Sequence, residues 1–460
     1  MATVTLLPES RNVGNQLVVA DQPVHRGGEG SIYFSTDGRY VVKVYHKAPP
    51  DKVEMLRQVV DLGRNLGEDE KFLAWPLGIV NTMGGQKVVG VVTRRVPSSY
   101  TPLYKLVFSP VEAIEQFRQK RSWVEYLKIA RGAARALWTI HGKGMAHADI
   151  HTKNFLADPQ TGDVVLIDLD GLVVKGFLPP QVKGVMGFIA PEVMMGKSRP
   201  GDLTDRHSLA VLILWILLLR NVMHAKVCYD EDPQRDDELS YGEHACFSEH
   251  PADRRNWDTR VGIPLFRNGL LSYRTLPQRL QDLTERALIH GLHDPVQRPQ
   301  VQAWERALAD AYDLLIGCPN CQQTFFYPHW VSPPPRRQCP FCGSAVRPPY
   351  PAVLEIMEPR PGGLYAPVRP AIAYHGLPFF ADIAEPGVSP PFTRRGLPVI
   401  GQTSWDRGAG VHRLENTGDL PWQVVAGGTG GKIGRGESVA LKRGLVLSLG
   451  AGRRVIRVVE

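Results

Sequence analysis

The sequence predicts an α+β protein in which a small β-rich part leads into a larger helical one, with two further modules behind. Three observations predict it. Residues 15 to 95 hold short apolar runs broken by glycine turns, the chain from about 120 adopts helical periodicity, and beyond 317 prolines and paired cysteines take over. At 460 residues, 43% of them hydrophobic, the chain can bury two to four domain cores.

In "QLVVADQPVHRGGEGSIYFSTDGRYVVKVYHK" two apolar runs are separated by glycines and a "TDGR" turn, the pattern of paired strands. "PPDKVEMLRQVVDLG" then opens on proline and sets Val53, Leu56 and Val59/Val60 on one helical face before Gly63 stops it. "QKVVGVVTRRV" reads as a further strand, and "SWVEYLKIARGAARALWTIHGKG" as an amphipathic helix ending at glycine. "LAVLILWILLL" at 209–219 falls short of a membrane span and is expected to be a buried core helix. The N-terminus has no basic stretch followed by an apolar one, so no signal peptide is expected, and the protein is expected in the cytoplasm.

The candidate chemistry is phosphoryl transfer, which needs backbone over the phosphates, a cation on them, oxygens for Mg²⁺ and a carboxylate for the attacking hydroxyl. Gly27, Gly28 and Gly30 would let a hairpin approach phosphate, with Ile32 packing on the base. Lys43 in "VVKVY" is the candidate phosphate cation, although alternation could equally turn it to solvent, and Glu54 on the following helix would hold it. Asp149 supplies the carboxylate for the substrate hydroxyl, Asn154 a neutral oxygen for metal, and Asp168 and Asp170 at the end of "VVLIDLD" a Mg²⁺ site.

These motifs, in this order, resemble the eukaryotic-like Ser/Thr protein kinases, over roughly residues 15–312. The resemblance is carried by the glycine turn, Val-Val-Lys, His147-x-Asp149-x-x-x-x-Asn154, Asp168-Leu-Asp170, Ala190-Pro191-Glu192, Asp205 and Arg298. It implies a bilobal kinase fold over 1–315, with an N-lobe to about 96, ATP and Mg²⁺ as cofactors and a protein substrate. It also implies a buried Glu192–Arg298 ion pair and an Asp205 that bonds the catalytic-loop backbone.

Four departures accompany it. His25 stands for the first loop glycine, Ala148 for the catalytic-loop arginine, and Asp170 for the glycine after the metal-binding aspartate. His151 stands for the phosphate-contacting lysine, for which Lys153 is the nearest substitute. The His151 pattern is shared with aminoglycoside-kinase-like small-molecule phosphotransferases, and a nucleotide-binding pseudokinase scaffold is the third alternative. Between Asp168 and Glu192 there is no Ser, Thr or Tyr, so activity is expected to be independent of phosphorylation there. Packing of Leu172, Val173, Phe177 and Leu178, stiffened by Pro179 and Pro180, would order the loop.

"CPNCQQTFFYPHWVSPPPRRQCPFCG" pairs Cys318/Cys321 with Cys339/Cys342, a spacing that closes a four-thiolate Zn²⁺ site over 316–346. Arg336 and Arg337 keep a nucleic-acid role open there, although none is expected. Of the 38 prolines, 17 lie between 328 and 398, which marks a linker and a new module. Residues 347–460 alternate apolar and polar residues between glycine turns and resemble a forkhead-associated-like β-sandwich. Residues 318–460 carry 16 Lys/Arg against 9 Asp/Glu, so an acidic partner would meet this part. A bacterial kinase with such a tail is similar to kinases of tellurite-resistance-associated triads. That similarity implies a metal-dependent phosphatase and a von Willebrand A protein as partners, and no membrane insertion.

Overall fold

The computed structural model describes every residue except 11–12, 108–121, 175–183, 334–336, 429 and 451–453. The chain is mixed α+β and divides into two compact units. The first comprises Met1–Gln116, Glu125–Asp258 and Leu283–Glu305, and the second Phe117–Val124, Thr259–Asp282 and Arg306–Glu460. Among the described residues no helix is long and apolar enough to cross a membrane.

The first unit opens with a seven-stranded antiparallel sheet. Its strands are β1 (Ala2–Leu6), β2 (Gln16–Val19), β3 (His25–Arg26), β4 (Gly30–Phe34), β5 (Tyr40–Tyr45), β6 (Pro76–Met83) and β7 (Gln86–Arg94), in the order β2-β1-β6-β7-β5-β4-β3. The sheet therefore starts earlier than residue 15, where the apolar pattern becomes readable. In "ATVTL" Val4 and Leu6 are buried between threonines, an alternation that five residues only just display. Helix α1 (Lys52–Leu62) packs on β6 and β7 by setting Leu56 and Val60 against Ile79 and Val91. Its buried face is Lys52, Met55, Leu56, Val59 and Val60, so Val53 is only half-buried.

The helical part of this unit is built round Asp202–Leu218. Leu209 to Leu214 and Ile216 to Leu217 are fully buried on all sides, as expected of a helix with no polar face. Thr204 closes its N-terminus by accepting from the Gly201 amide at 2.8 Å, leaving Asp205 one residue further in, facing the interior.

In the second unit a short hairpin, Leu315–Gly317 with Thr324–Phe326, carries the first cysteine pair in its turn. Two antiparallel sheets follow. One runs Leu364–Ala373, Ala352–Arg360, Val455–Val458, Val446–Ser448, Trp422–Ala426, Lys432–Ile433, and the other Pro378–Phe380, Val399–Asp406, Val411–Asn416, Ser438–Ala440. Leu354, Trp422, Leu447 and Ile456 of the first share one core with Phe379 and Leu414 of the second.

Candidate active site and cysteine cluster

Strand alternation decides where Lys43 points. Val42 and Val44 face the core shared with Val4 and Val92, so Lys43 and Tyr45 project together from the opposite face. A cleft of about 600 Å³ opens there. Gly27, Gly28, Gly30, Ile32, Lys43, Asn154, Asp168 and Asp170 all line it, whereas Asp149, Lys153 and Glu54 do not. The glycines serve different ends. A Cβ on Gly30 would lie 2.5 Å from the Val44 carbonyl oxygen, so the β4–β5 pairing itself requires glycine. A Cβ on Gly28 would meet nothing within 4 Å, so the turn keeps its backbone open to the cleft.

Lys43 is the hub of a charge cluster. Its Nζ donates to Asp168 Oδ1 at 2.6 Å, Glu29 Oε2 at 3.0 Å and Asp170 Oδ2 at 3.2 Å. Burial disfavours the ammonium, but Asp170 and Asp168 outweigh it and hold Lys43 protonated well above its usual range. Burial likewise opposes ionisation of Asp170, and Lys43, Lys52 and the Tyr45 hydroxyl overcome it, holding that carboxyl far below the usual range. Desolvation and repulsion from Asp170 push the Asp168 carboxyl upward. Asp168 occupies the left-handed region, φ 64°, and its side chain is 38% exposed against 6% for Asp170. Both line the cleft, and Asp168 is the more exposed of the two.

The loop 147–154 is held from below. Asp205, almost wholly buried, accepts from the amides of His147 (2.7 Å) and Ala148 (2.9 Å) and from His141 Nε2 (3.0 Å). These bonds stabilise Ala148 at φ 68°, a conformation alanine rarely adopts. Asn154 Nδ2 donates to the Asp149 carbonyl at 2.9 Å and carboxylate at 3.1 Å, tying the ends of the loop together. His151 Nδ1 accepts from the Lys153 amide at 3.1 Å, so its Nε2 carries the proton and donates to Asp149 Oδ2 at 3.2 Å. Burial raises the Asp149 carboxyl, yet His151, His147 and Asn154 bring it below its usual range, so it stays an ionised acceptor. Lys153 is exposed.

Arg298 and Glu192 form a two-pronged ion pair. The segment before Glu192 is anchored by Ser208 Oγ donating to the Phe188 carbonyl (2.8 Å) and by stacking of Phe188 on Trp215, 5.1 Å between ring centres.

The expected Lys43–Glu54 pair is absent. Glu54 is 61% exposed and bonds Arg57 at 3.2 Å, because α1 turns Lys52 and Leu56 inward and so turns residue 54 out. Three contributors went unread: Glu29, Tyr45, whose hydroxyl donates to Asp170, and Lys52, whose Nζ donates to the Asp170 carbonyl at 3.1 Å. Tyr45 was legible, two residues from Lys43 on one strand face. Lys52 gave no signal, since a lysine in the first turn of a surface helix is ordinarily solvated.

In the second unit the four cysteines converge, every Sγ within 4.8 Å of the others. Cys318–Cys342 and Cys321–Cys339 are each 3.7 Å apart, too far for a disulfide and close to the roughly 3.8 Å edge of a tetrahedron with 2.3 Å Zn–S bonds. The two turns match. Cys318 N donates to Gln323 O (2.8 Å) and Cys339 N to Ser344 O (2.9 Å), with Gln322 and Gly343 at positive φ after the second cysteine of each pair. This group could hold a zinc ion. Arg337 is unavailable to nucleic acid: its buried guanidinium donates to both Glu460 carboxylate oxygens, at 2.8 and 2.9 Å. Arg336 lies outside the described residues.

No family model matches the sequence. Over 105 residues, 22% of its length, the chain is 38% identical to a probable leucine-rich repeat receptor-like protein kinase of Arabidopsis thaliana. The match spans 15% of that relative's length.

Proposed function

We propose that the chain is an ATP- and Mg²⁺-dependent protein kinase that phosphorylates Ser or Thr of a protein partner, with residues 1–315 as a bilobal catalytic domain. The observation that carries this reading is the convergence of Lys43, Asp168, Asn154 and the open Gly27–Gly28 turn on one cleft, with Asp205 holding the loop that bears Asp149. The cleft face of Asp168, crowded against Asp170 and raised in pKa, is where a divalent cation would relieve repulsion, with Asn154 as the neutral donor. Mg²⁺, when bound, supplies charge neutralisation on the phosphates.

The chain's own residues do the rest. The backbone at Gly27 and Gly28 covers the phosphates without side chains in the way. Lys43 balances phosphate charge and keeps Asp168 in place. Asp149, ionised and oriented by His151 and Asn154, accepts the hydrogen bond of the attacking hydroxyl and aligns it for in-line transfer. Residues 316–346, as a zinc ribbon, and 347–460, as a β domain, would serve partner binding. The phosphatase and von Willebrand A partners belong to this proposal.

Labelled ATP and a generic protein substrate, with Asp149→Ala alongside, test the reading. Protein labelling abolished by the substitution supports it. Turnover only with a small alcohol, the alternative that His151 suggests, contradicts it, as does nucleotide binding without transfer.

A further inference from the structure

α1 meets the aspartate pair through a cation. We propose that Lys52, assisted by Tyr45, is the positioning residue that fixes the Leu169–Gly171 turn, making Asp170 an internal counter-ion and leaving Asp168 as the aspartate that binds metal. This rests on the phosphoryl-transfer reading and deepens it.

The geometry is specific. Lys52 is only 4% exposed, donates to the Asp170 carbonyl and lies 4.8 Å over the Tyr45 ring. The Tyr45 hydroxyl donates to the Asp170 carboxylate, and Lys43 reaches the same group from the other side. Asp170 is thus enclosed by two cations and a phenol, while Asp168 is more open to the cleft. Asp168 is held at φ 64°, a left-handed conformation that neighbouring contacts must stabilise. The Lys52 bond acts on the carbonyl two residues downstream, and Leu169 and Leu172, both buried, pin the turn on either side of it.

Charge balance explains why the residue is a lysine. Glu29, Asp168 and Asp170 surround Lys43, three carboxylates about one ammonium. A buried carboxylate at 170 needs further cation or hydrogen-bond compensation, which Lys52 and Tyr45 supply. A carboxylate from α1 would worsen the imbalance. Residues two apart on a helix lie about 200° round its axis, so with Lys52 inside Glu54 must be outside, as found.

The test is Mn²⁺ affinity in the presence of a non-hydrolysable ATP analogue, by calorimetry, together with the Mg²⁺ dependence of transfer. Lys52→Met should weaken Mn²⁺ binding at least about tenfold and raise the half-saturating Mg²⁺ by a similar factor. Glu54→Gln should change either by less than about twofold. In Lys52→Met/Asp170→Asn, with the uncompensated charge removed, most of the affinity should return. Circular dichroism and thermal unfolding check the fold. If Lys52→Met does not fold, Tyr45→Phe carries the test and should move both readouts in the same direction. Unchanged Mn²⁺ affinity in the folded variants, a larger loss in Glu54→Gln, or further loss in the double variant overturns the proposal. Wild-type protein that transfers nothing yet shows this affinity pattern counts against the transfer reading and for Lys52. Normal transfer with a flat pattern does the reverse.

Discussion

Arg298 grips Glu192 through two parallel hydrogen bonds of 2.7 and 2.8 Å, across 106 residues of chain. Its other N–H groups reach the carbonyls of Gly291 (2.7 Å), Leu203 (3.0 Å) and Leu292 (3.0 Å), so all five donors are used. Removing one partner leaves a buried charge unmatched, which costs about 3–5 kcal/mol. Arg298→Met and Glu192→Gln are therefore expected to destabilise the first unit by that amount in urea denaturation. Arg298→Lys should do nearly the same, because an ammonium cannot reproduce the fork. A loss below about 1 kcal/mol would contradict the assignment.

Stability should fall in mild acid. Burial lowers the pKa of His147, and burial followed by repulsion from Arg298 lowers that of His207 well below the usual range. Both are neutral when folded and protonate near pH 6.5 when unfolded. The unfolded state therefore binds more protons below that pH, so their stabilisation, fully present above about 6.5, is lost progressively as pH falls toward the folded-state values. Each contributes a slope of up to about 1.4 kcal/mol per pH unit. The Asp168 carboxyl, raised to about 7 by desolvation and Asp170, takes up a proton in the folded state and opposes this slope, so the test uses Asp168→Asn: its urea midpoints at pH 7.5, 6.5 and 5.5 should decrease in that order, and a flat profile would contradict the burial of the two neutral imidazoles.

Protein purified without chelator should contain one zinc per chain by elemental analysis. Cys318→Ser should release it and unfold the turns around 318–344, since so short a segment draws its folding energy from the metal. Transfer should persist in part, because Lys43, Asp149 and Asp168 all belong to the first unit. Zinc-free protein with intact turns would refute the site.

Catalysis should need no phosphate on the segment 168–192, which has no hydroxyl side chain to accept one. Ala148 also stands where the kinase resemblance implies the arginine that would pair with such a phosphate. Leu172 and Val173 are buried, and Phe188 is anchored on Trp215, while Phe177, Leu178, Pro179 and Pro180 lie outside the described residues. Phosphatase-treated protein, confirmed unmodified by mass, should show its full initial rate at once. A lag that shortens as phosphate is incorporated would contradict this.

Much of this site could be read from short-range patterns. Alternation in "VVKVY" puts Lys43 and the core valines on opposite faces, whereas the Asp205 and Arg298 contacts, which span long stretches of chain, were expected only from the family resemblance. What escaped depended on helix phase. Leu56, Val59 and Val60 are buried as read, but Lys52 and Met55 complete that face in place of Val53, and a lysine facing Asp170 is not visible in an apolar stripe, so Glu54 was misread and Lys52 missed. The strand Ala2–Leu6 escaped because its two buried residues acquire meaning only beside Gln16–Val19 and β6.

The measurement that tests the account most directly is the steady-state rate of γ-phosphate transfer from ATP by wild-type protein, Lys43→Met and Asp168→Asn, each verified as folded. On the proposed function both positions would act on phosphate or metal charge in the cleft, and such preorganised contacts contribute several kcal/mol, on the order of 3, to a transition state. The account predicts a rate lowered by two or more orders of magnitude, about 3 kcal/mol or more, in each variant. Near-wild-type rates in either variant, or an Asp170→Asn that is more damaging than Asp168→Asn, would contradict it.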